Sequence, residues 1–139
     1  GADINATSSG GYDLLMWAAM SGDLSTVELF LQKGLKVSRR NDDGETALMV
    51  GSHDGNGNVV KALIDAGSEV NATDKKGKTP LMHAADGVNT VEAVKVLLKA
   101  GANPEIKDKD GRAALQMARA SNCFGAAEVA GVLDKASKK

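Results

Sequence analysis

Short apolar segments alternate with polar, turn-rich segments along the whole chain of 139 residues. In one apolar segment Val59, Val60, Leu63 and Ile64 are spaced so that they fall on one face of a helix. Positions 93, 94, 97 and 98 repeat that pattern. The segments between are rich in glycine, asparagine and aspartate, which favour turns. The pattern therefore predicts short amphipathic helices separated by polar loops.

Residues suited to the first turn of a helix precede several apolar segments. Thr46 and Thr79 can accept a hydrogen bond from an unpaired backbone N–H, and Pro80 fits the first helical position. Asp13 can cap the corresponding helix near the N-terminus, whereas Ala113 has no side-chain acceptor. We therefore predict that the last helix pair is less stable at its N-terminus than the preceding pairs. Each predicted helix is shorter than the roughly 12 residues at which an isolated helix is marginal in water, so neighbouring helices must bury each other.

Two series of glycines divide the chain into units of nearly equal length. Each series is spaced by 33, 33 and 34 residues, and its members are Gly11, Gly44, Gly77 and Gly111 in the first series and Gly1, Gly34, Gly67 and Gly101 in the second. In the second series, a glycine that follows a helix can adopt the left-handed backbone conformation that ends it. A fixed period of this length indicates a solenoid, in which each unit packs against its neighbours.

The residues between the glycines repeat as well. The segments after the first series read DLLMWAAMSG, TALMVGSHDG, TPLMHAADGV and AALQMARASN, and the second series opens GADINA, GLKVSR, GSEVNA and GANPEI. This sequence resembles the ankyrin repeat, whose pattern is G-x-TPLH-x-AA-x-x-G, then a V-V-x-L-L-L helix, then GADVNA. The resemblance covers essentially the whole chain. It implies an all-α, ankyrin-repeat solenoid of stacked helix-turn-helix units with protruding hairpin loops.

The glycine period also sets the expected divisions of the chain. We predict a single ankyrin-repeat domain over residues 1–139, made of a leading segment 1–10, repeats at 11–43, 44–76 and 77–110, and a C-terminal capping repeat at 111–139. The leading segment is the tail of a truncated preceding repeat or an N-terminal cap. A fragment cut from a longer array is the favoured interpretation, because no helix is predicted within the leading segment. At the other end, Asp134, Lys135, Lys138 and Lys139 predict a solvated edge.

Some positions depart from the repeat pattern. Gly51 and Ser52 replace the paired alanines of an inner helix, which predicts a weaker second unit. Extra residues fall within 85–92 and 120–128, at turns between helices, where insertions cost little. These irregularities indicate a natural protein rather than a consensus design, and the LMWAA variant suggests a bacterial source.

Composition and charge narrow the class of protein. Apolar residues make up 42% and charged residues 25% of the chain, and the net charge of −1 gives no general attraction to nucleic acid or membranes. No apolar run approaches the roughly 18 residues of a membrane span, and no secretory leader is present, so membrane insertion is not expected. The single cysteine fits a reducing compartment, and we expect an intracellular, cytoplasmic location.

Candidate chemistry is sparse, and we predict neither an enzyme nor a bound cofactor or metal. His83 is expected to face the core with a local hydrogen bond, and Trp17 to pack in the core. His53 is a surface candidate with no nucleophile or base-orienting group placed beside it by any motif. The stretch 54–58 superficially matches the start of a calcium loop but lacks its later glycine and glutamate, so an inter-helix turn is preferred. Cys123 is interpreted as a free structural or surface thiol.

The resemblance implies where a partner would bind. In ankyrin proteins the concave surface and the hairpin tips usually carry partner contacts. By match to the repeat pattern, the partner-binding residues here are Tyr12, Met20, Ser21, Asp42, Asp43, Glu45, His53, Asp54, Lys75, Lys76, Lys78, Asp86, Lys109, Asp110, Arg112 and Ser121. The tip of the second unit is acidic, and the tips of the third and fourth are mainly basic. Tyr12 and Met20 are the expected apolar anchors.

These observations support a non-catalytic protein–protein interaction module that binds a partner protein on its concave face and hairpin tips. The alternative is a targeting or regulatory segment of a larger multidomain protein, such as an enzyme, a channel or a bacterial effector. No small-molecule substrate is expected, and we predict a monomer. Nucleic-acid binding through the lysines is disfavoured, because acidic residues lie beside them and no aromatic platform for base stacking lies among them.

Overall fold

The computed structural model describes residues 4–54, 56–123 and 125–137. Within these ranges the chain forms a 3₁₀ turn at Ser9–Gly11 and then helices paired along the sequence. The helices are α1 (Leu14–Ser21), α2 (Leu24–Gln32), α3 (Ala47–His53), α4 (Gly57–Asp65), α5 (Pro80–Ala85), α6 (Val91–Lys99), α7 (Ala114–Ala120) and α8 (Ala126–Ser137). The described residues contain no β-strand, which confirms the all-α prediction. Lys138 and Lys139, predicted to give a solvated edge, lie outside the described residues.

Side-chain caps begin the inner helices as the sequence predicts. Asp13 Oδ1 accepts a hydrogen bond from the Met16 N–H at 2.8 Å, and Thr46 and Thr79 make the equivalent bonds with their hydroxyl oxygens. Ala113 provides no such acceptor. Its own N–H instead donates to Gln116 Oε1 at 2.9 Å, so half of a capping arrangement remains at α7.

The helices stack in two rows. The inner row contains α1, α3, α5 and α7, each packed on the next, and the outer row contains α2, α4, α6 and α8 in the same order. One core runs between the rows, with Leu15, Leu48 and Leu81 from the inner row and Leu63 and Leu97 from the outer row almost fully buried. Each pair of helices therefore covers the apolar face of its neighbours, and the predicted solenoid is confirmed.

Glycine is required by backbone conformation after three of the outer helices. Gly34, Gly67 and Gly101 follow α2, α4 and α6 with φ of 90°, 102° and 99°, where an L side chain is strained. Apart from the glycine and its two chain neighbours, no described heavy atom lies within 4 Å of a Cβ built on any of them. The requirement therefore comes from backbone conformation and not from crowding.

The last helix differs from the prediction that every helix is shorter than about 12 residues. Helix α8 is 12 residues long and packs on α6, α7 and α5. Val129 and Leu133 are buried on its apolar side, while Gly131 and Lys135 are exposed to solvent. A longer helix here covers more of the preceding unit, so the prediction of uniformly short helices is wrong for α8. None of the described helices is long and apolar enough to cross a bilayer.

We predict that Gly51→Ala raises the free energy of unfolding by about 0.5–1 kcal/mol, because alanine favours a helix over glycine. The new methyl group would lie 3.3 Å from Ala19 Cβ and 3.6 Å from Leu63 Cδ1 and Val59 Cγ1. The tight contact with Ala19 calls for a shift of a few tenths of an ångström in α1. Urea denaturation measures the change. A destabilised variant would mean that α1 cannot move and that this glycine is needed for close helix packing.

Candidate functional site

Three grooves follow one another along the side of the molecule formed by the inner row and the hairpins. We call them together the groove strip. The first is lined by the predicted residues Tyr12, Met20, Glu45, His53 and Asp54. The second shares Glu45 and adds Asp43, Lys75, Lys76 and Lys78. The third shares those lysines and adds Lys109, Asp110 and Arg112. Most of the predicted partner-binding residues are thus brought to one continuous surface.

The remaining predicted residues lie outside these grooves. Asp86 is exposed and joins the strip through Lys78, whose Nζ lies 3.6 Å from Asp86 Oδ2. Ser21 donates its hydroxyl to the Ala18 carbonyl, and Ser121 accepts a hydrogen bond from the Cys123 N–H. Those two serines serve local turns between helices. Asp42 is exposed on its hairpin.

Tyr12 lies at one end of the strip, and the ring of Trp17 packs beside it. Their ring centroids lie 5.4 Å apart, and the Tyr12 hydroxyl lies 3.5 Å from Glu45 Oε2. Burial and the nearby carboxylates of Glu45 and Asp43 raise the pKa of Tyr12. The prediction that Trp17 packs in the core is wrong, since the residue is 48% exposed. Its indole donates to Ser8 Oγ at 3.2 Å, and its contacts with Ser8 and Tyr12 leave much of the large ring in solvent.

An Asn or Asp side chain closes each hairpin from within. Oδ1 of Asn41, Asp74 and Asp108 each accepts two backbone N–H groups, from the second and fourth residues that follow, at 2.9–3.0 Å. All three are buried. We did not predict this role from the sequence, although the signal was there: each stands three residues before a glycine of the first series.

Backbone hydrogen bonds tie each hairpin to the one before it. The Asp42 N–H donates to the Gly10 carbonyl, that of Lys75 to the Asp43 carbonyl and that of Lys109 to the Lys76 carbonyl. The distances are 2.8, 3.1 and 3.0 Å. These bonds satisfy backbone groups at the tips and fix the spacing of successive hairpins.

The cations along the strip differ in how far they are compensated. Arg112 Nη2 lies 3.2 Å from Asp108 Oδ2 and 3.3 Å from Asp110 Oδ2, so its charge is balanced within its own hairpin. Lys78 is compensated by Asp86. In contrast, Lys75, Lys76 and Lys109 are exposed and form no ion pair within the described residues. We refer to these three as the tip lysines.

His83 lies at the boundary between the first two grooves. Its Nε2 is 2.9 Å from Asp74 Oδ2 and 4.0 Å from Glu45 Oε1, and its side chain is 10% exposed. The predicted buried position with a local hydrogen bond is confirmed. Burial lowers the pKa of His83 although the carboxylates of Asp74 and Glu45 act in the opposite direction. A neutral imidazole bonded to a carboxylate is therefore expected near neutral pH.

The second histidine lies on the surface, as predicted. His53 ends α3, and its Nδ1 is 3.5 Å from Asp54 Oδ1, both side chains being well exposed. Asn56 then caps α4 by accepting the N–H groups of Asn58 and Val59. Within the stretch that superficially matches a calcium loop, Asp54 follows α3 and Gly57 and Asn58 begin α4, while Gly55 lies outside the described residues.

Comparison with known proteins places this architecture in a family. A family model described as ankyrin repeats, in three copies, matches residues 1–74 and 52–133. The chain is 36% identical over 107 residues to human Ankyrin repeat and SOCS box protein 6, covering 72% of this chain and 25% of that protein. It is 32% identical over 124 residues to the E3 ubiquitin-protein ligase hecd-1 of Caenorhabditis elegans, covering 88% of this chain and 5% of the relative.

A third relative is the putative palmitoyltransferase ZDHHC13 of Danio rerio, 31% identical over 120 residues. That match covers 86% of this chain and 19% of the relative. The chain thus spans a quarter or less of the length of each of these relatives. All three are animal proteins, so they give no support to the bacterial source suggested by the LMWAA variant.

Proposed function

This chain belongs to the ankyrin repeat family, and from that premise we propose that it binds a partner protein along the groove strip. Ankyrin repeats are non-catalytic protein-interaction modules. The observation that carries the proposal is the set of uncompensated tip lysines on adjacent hairpins. A partner that presents an acidic segment there would complete the charge balance of the strip.

The two ends of the strip favour different parts of such a partner. At the basic end, Lys75, Lys76 and Lys109 line the same groove, so one acidic segment can reach all three. At the other end, Tyr12 and Met20 are half-buried beside the exposed His53 and Asp54. That groove suits an apolar side chain of the partner flanked by polar groups. The acidic Asp43 and Glu45 between the two ends would fix the direction in which the segment lies.

We predict that reversing the tip lysines, with Lys75→Glu, Lys76→Glu and Lys109→Glu together, weakens partner binding by at least about tenfold and reduces its salt dependence. The thermal midpoint should remain nearly unchanged, since these side chains are exposed and unpaired. Partners are captured from a lysate with wild type and variant in parallel, and the affinity of each captured protein is then measured at two salt concentrations.

The matched control reverses Lys33, Lys36 and Lys99, which are also exposed, lie at or just after the ends of α2 and α6, and line none of the three grooves, so that the net charge changes equally. A partner retained by this control and lost by the tip variant supports the proposal. Equal loss of partner binding in both variants would show that the effect comes from net charge alone. A partner retained by both variants would show that the tip lysines lie outside the interface. A large fall in the thermal midpoint of the tip variant would show that these lysines have a structural role.

We further propose that the partner is a protein rather than a nucleic acid and that the chain binds as a monomer. Asp43, Asp110 and Glu45 lie in the same grooves as the lysines and would repel phosphate. Binding of a DNA or RNA oligonucleotide that the tip variant abolishes would contradict the first statement. Sedimentation velocity of the chain alone tests the second. A cytoplasmic location stays a prediction.

A second candidate function rests on the length of the relatives. Because the chain spans between 5% and 25% of the relatives described above, it is also proposed to be the targeting or regulatory segment of a larger protein. In that case the groove strip would recruit a substrate or a regulator for activity located elsewhere in the same polypeptide. The open reading frame around the region that encodes this chain decides between the two candidates.

A further inference from the structure

We propose that His83, Asp74 and Glu45 form a binding site for a divalent transition-metal ion, with Zn²⁺ as the best match. Each residue offers one ligand atom, and the three atoms all lie within 4.8 Å of one another. One imidazole nitrogen and two carboxylate oxygens form a donor set that Zn²⁺ accepts readily.

The distances suit a single ion. Two ligand atoms bound to Zn²⁺ at about 2.0–2.1 Å lie about 2.9–3.4 Å apart in tetrahedral or octahedral geometry. His83 Nε2 and Asp74 Oδ2 are already 2.9 Å apart. Glu45 Oε1 is 4.0 Å from His83 Nε2 and accepts no hydrogen bond within the described residues, so a small rotation of this partly exposed side chain would bring it into range.

The surroundings hold two of the ligands in place. Asp74 is fixed by the N–H groups of Lys76 and Lys78, both donating to Oδ1, so that Oδ2 faces the histidine. Glu45 is held through its other oxygen, Oε2, by the Asn41 amide at 2.8 Å. Each carboxylate thus uses one oxygen for the protein and directs the other toward His83, an arrangement that orients metal ligands.

Charge and access also favour a cation. Asp74 and Glu45 supply two negative charges, and the imidazole of His83 donates its Nε2–H to Asp74 Oδ2. Binding an ion there replaces the hydrogen between Nε2 and Asp74, and the neutral ring then carries its proton on Nδ1. Lys78 opposes the ion, but its ammonium group is directed to Asp86. Glu45 and His83 line both of the first two grooves, so the ion would have an open side toward water or a partner.

Comparison of equivalent positions in the repeat units indicates that this cluster occurs between only one pair of successive described units. The positions equivalent to Glu45, Asp74 and His83 carry Tyr12, Asn41 and Val50 one unit earlier, and Lys78, Asp108 and Met117 one unit later. Neither of those sets can hold a metal. The architecture of the hairpin is the same in all three places, so it does not by itself require a histidine and two carboxylates.

The repeat also supplies the test variants. His83→Val and Asp74→Asn each introduce the residue that the preceding unit has at the same position, and Asn41 closes its hairpin as Asp74 does. Zn²⁺ binding to the full chain is measured by isothermal titration calorimetry, with the thermal midpoint recorded with and without Zn²⁺. The controls are His53→Ala and Cys123→Ser, which remove the other potential nitrogen and sulfur ligands of the described residues.

The expected result is one Zn²⁺ per chain and a Zn²⁺-dependent rise in thermal midpoint in wild type and both controls. Affinity should fall at least about tenfold in both His83→Val and Asp74→Asn, while circular dichroism shows both folded. Two results would overturn the site: no binding or stabilisation of wild type at millimolar Zn²⁺, or an unchanged affinity in either test variant. Loss of Zn²⁺ binding in a control variant would show that the ion is bound by the residue replaced in that control and would contradict the proposed site.

Discussion

Gly87→Ala is expected to lower the free energy of unfolding by about 2–3 kcal/mol. A Cβ at this position would overlap the backbone carbonyl oxygen of His53 and lie 2.8 Å from Thr90 Cγ2. Gly87 does not have a positive φ, so the penalty comes from crowding and not from strained backbone. The obstacle is mainly backbone of the preceding turn, which cannot rotate away as a side chain can. Urea denaturation at constant pH measures the loss.

The matched control is Gly131→Ala in α8. Apart from its chain neighbours and the backbone of its own helix, no described heavy atom lies within 4 Å of a Cβ built at Gly131, and the residue is exposed. Alanine there should stabilise by about 0.5–1 kcal/mol through helix propensity alone. The same substitution is thus expected to lower the free energy of unfolding at Gly87 and to raise it at Gly131. A neutral Gly87→Ala would contradict the close stacking of the turns of the second and third units.

Asp108→Ala is expected to cost about 2–3 kcal/mol, because it removes a buried acceptor shared by two backbone N–H groups. Those donors belong to Asp110 and Arg112, and the ion pair with Arg112 is lost as well. Asp108→Asn should cost much less, since Asn41 closes its own hairpin with an amide oxygen in the same way. Asp110→Ala, at an exposed position in the same hairpin, is the control and should change stability by less than about 0.5 kcal/mol.

The same residue predicts a dependence of stability on pH. Burial by itself raises the pKa of Asp108, but the N–H groups of Arg112 and Asp110, together with the Arg112 guanidinium, leave that pKa below its ordinary value. A carboxyl whose pKa is lowered by folding stabilises the folded state above its unfolded pKa of about 3.9 and loses that contribution as pH falls. The wild type should therefore lose stability below about pH 4 by more than Asp108→Asn does. Parallel slopes would contradict this.

The fold was predictable because local signals repeat. Thr46 and Thr79 cap helices where their sequence context places them, and Gly34 and Gly67 end helices in the expected conformation. Trp17 was misjudged because the repeat pattern describes an average position. That pattern does not specify whether the neighbours of one large ring suffice to cover it, and here Ser8 and Tyr12 leave it half exposed.

The candidate site was predictable only in part. The family pattern selected Glu45 and His53 as surface residues, and both line the groove strip. It did not reveal that Arg112 and Lys78 are compensated while Lys75 is not, because ion pairing depends on how neighbouring side chains meet. The role of the buried aspartates in closing the hairpins was also missed, although their spacing follows the glycine period.

The period, the helix caps, the left-handed glycines and therefore the stack of helix pairs follow from the amino-acid sequence alone, since each depends on interactions within a few residues or between equivalent units. Which side chains from different hairpins meet follows instead from the packing of the whole chain. Glu45, Asp74 and His83 come from three segments, and their carboxylate and imidazole groups converge because neighbouring hairpins are hydrogen-bonded to each other over the inner row. Such convergence depends on the packing of successive units, which no local pattern encodes.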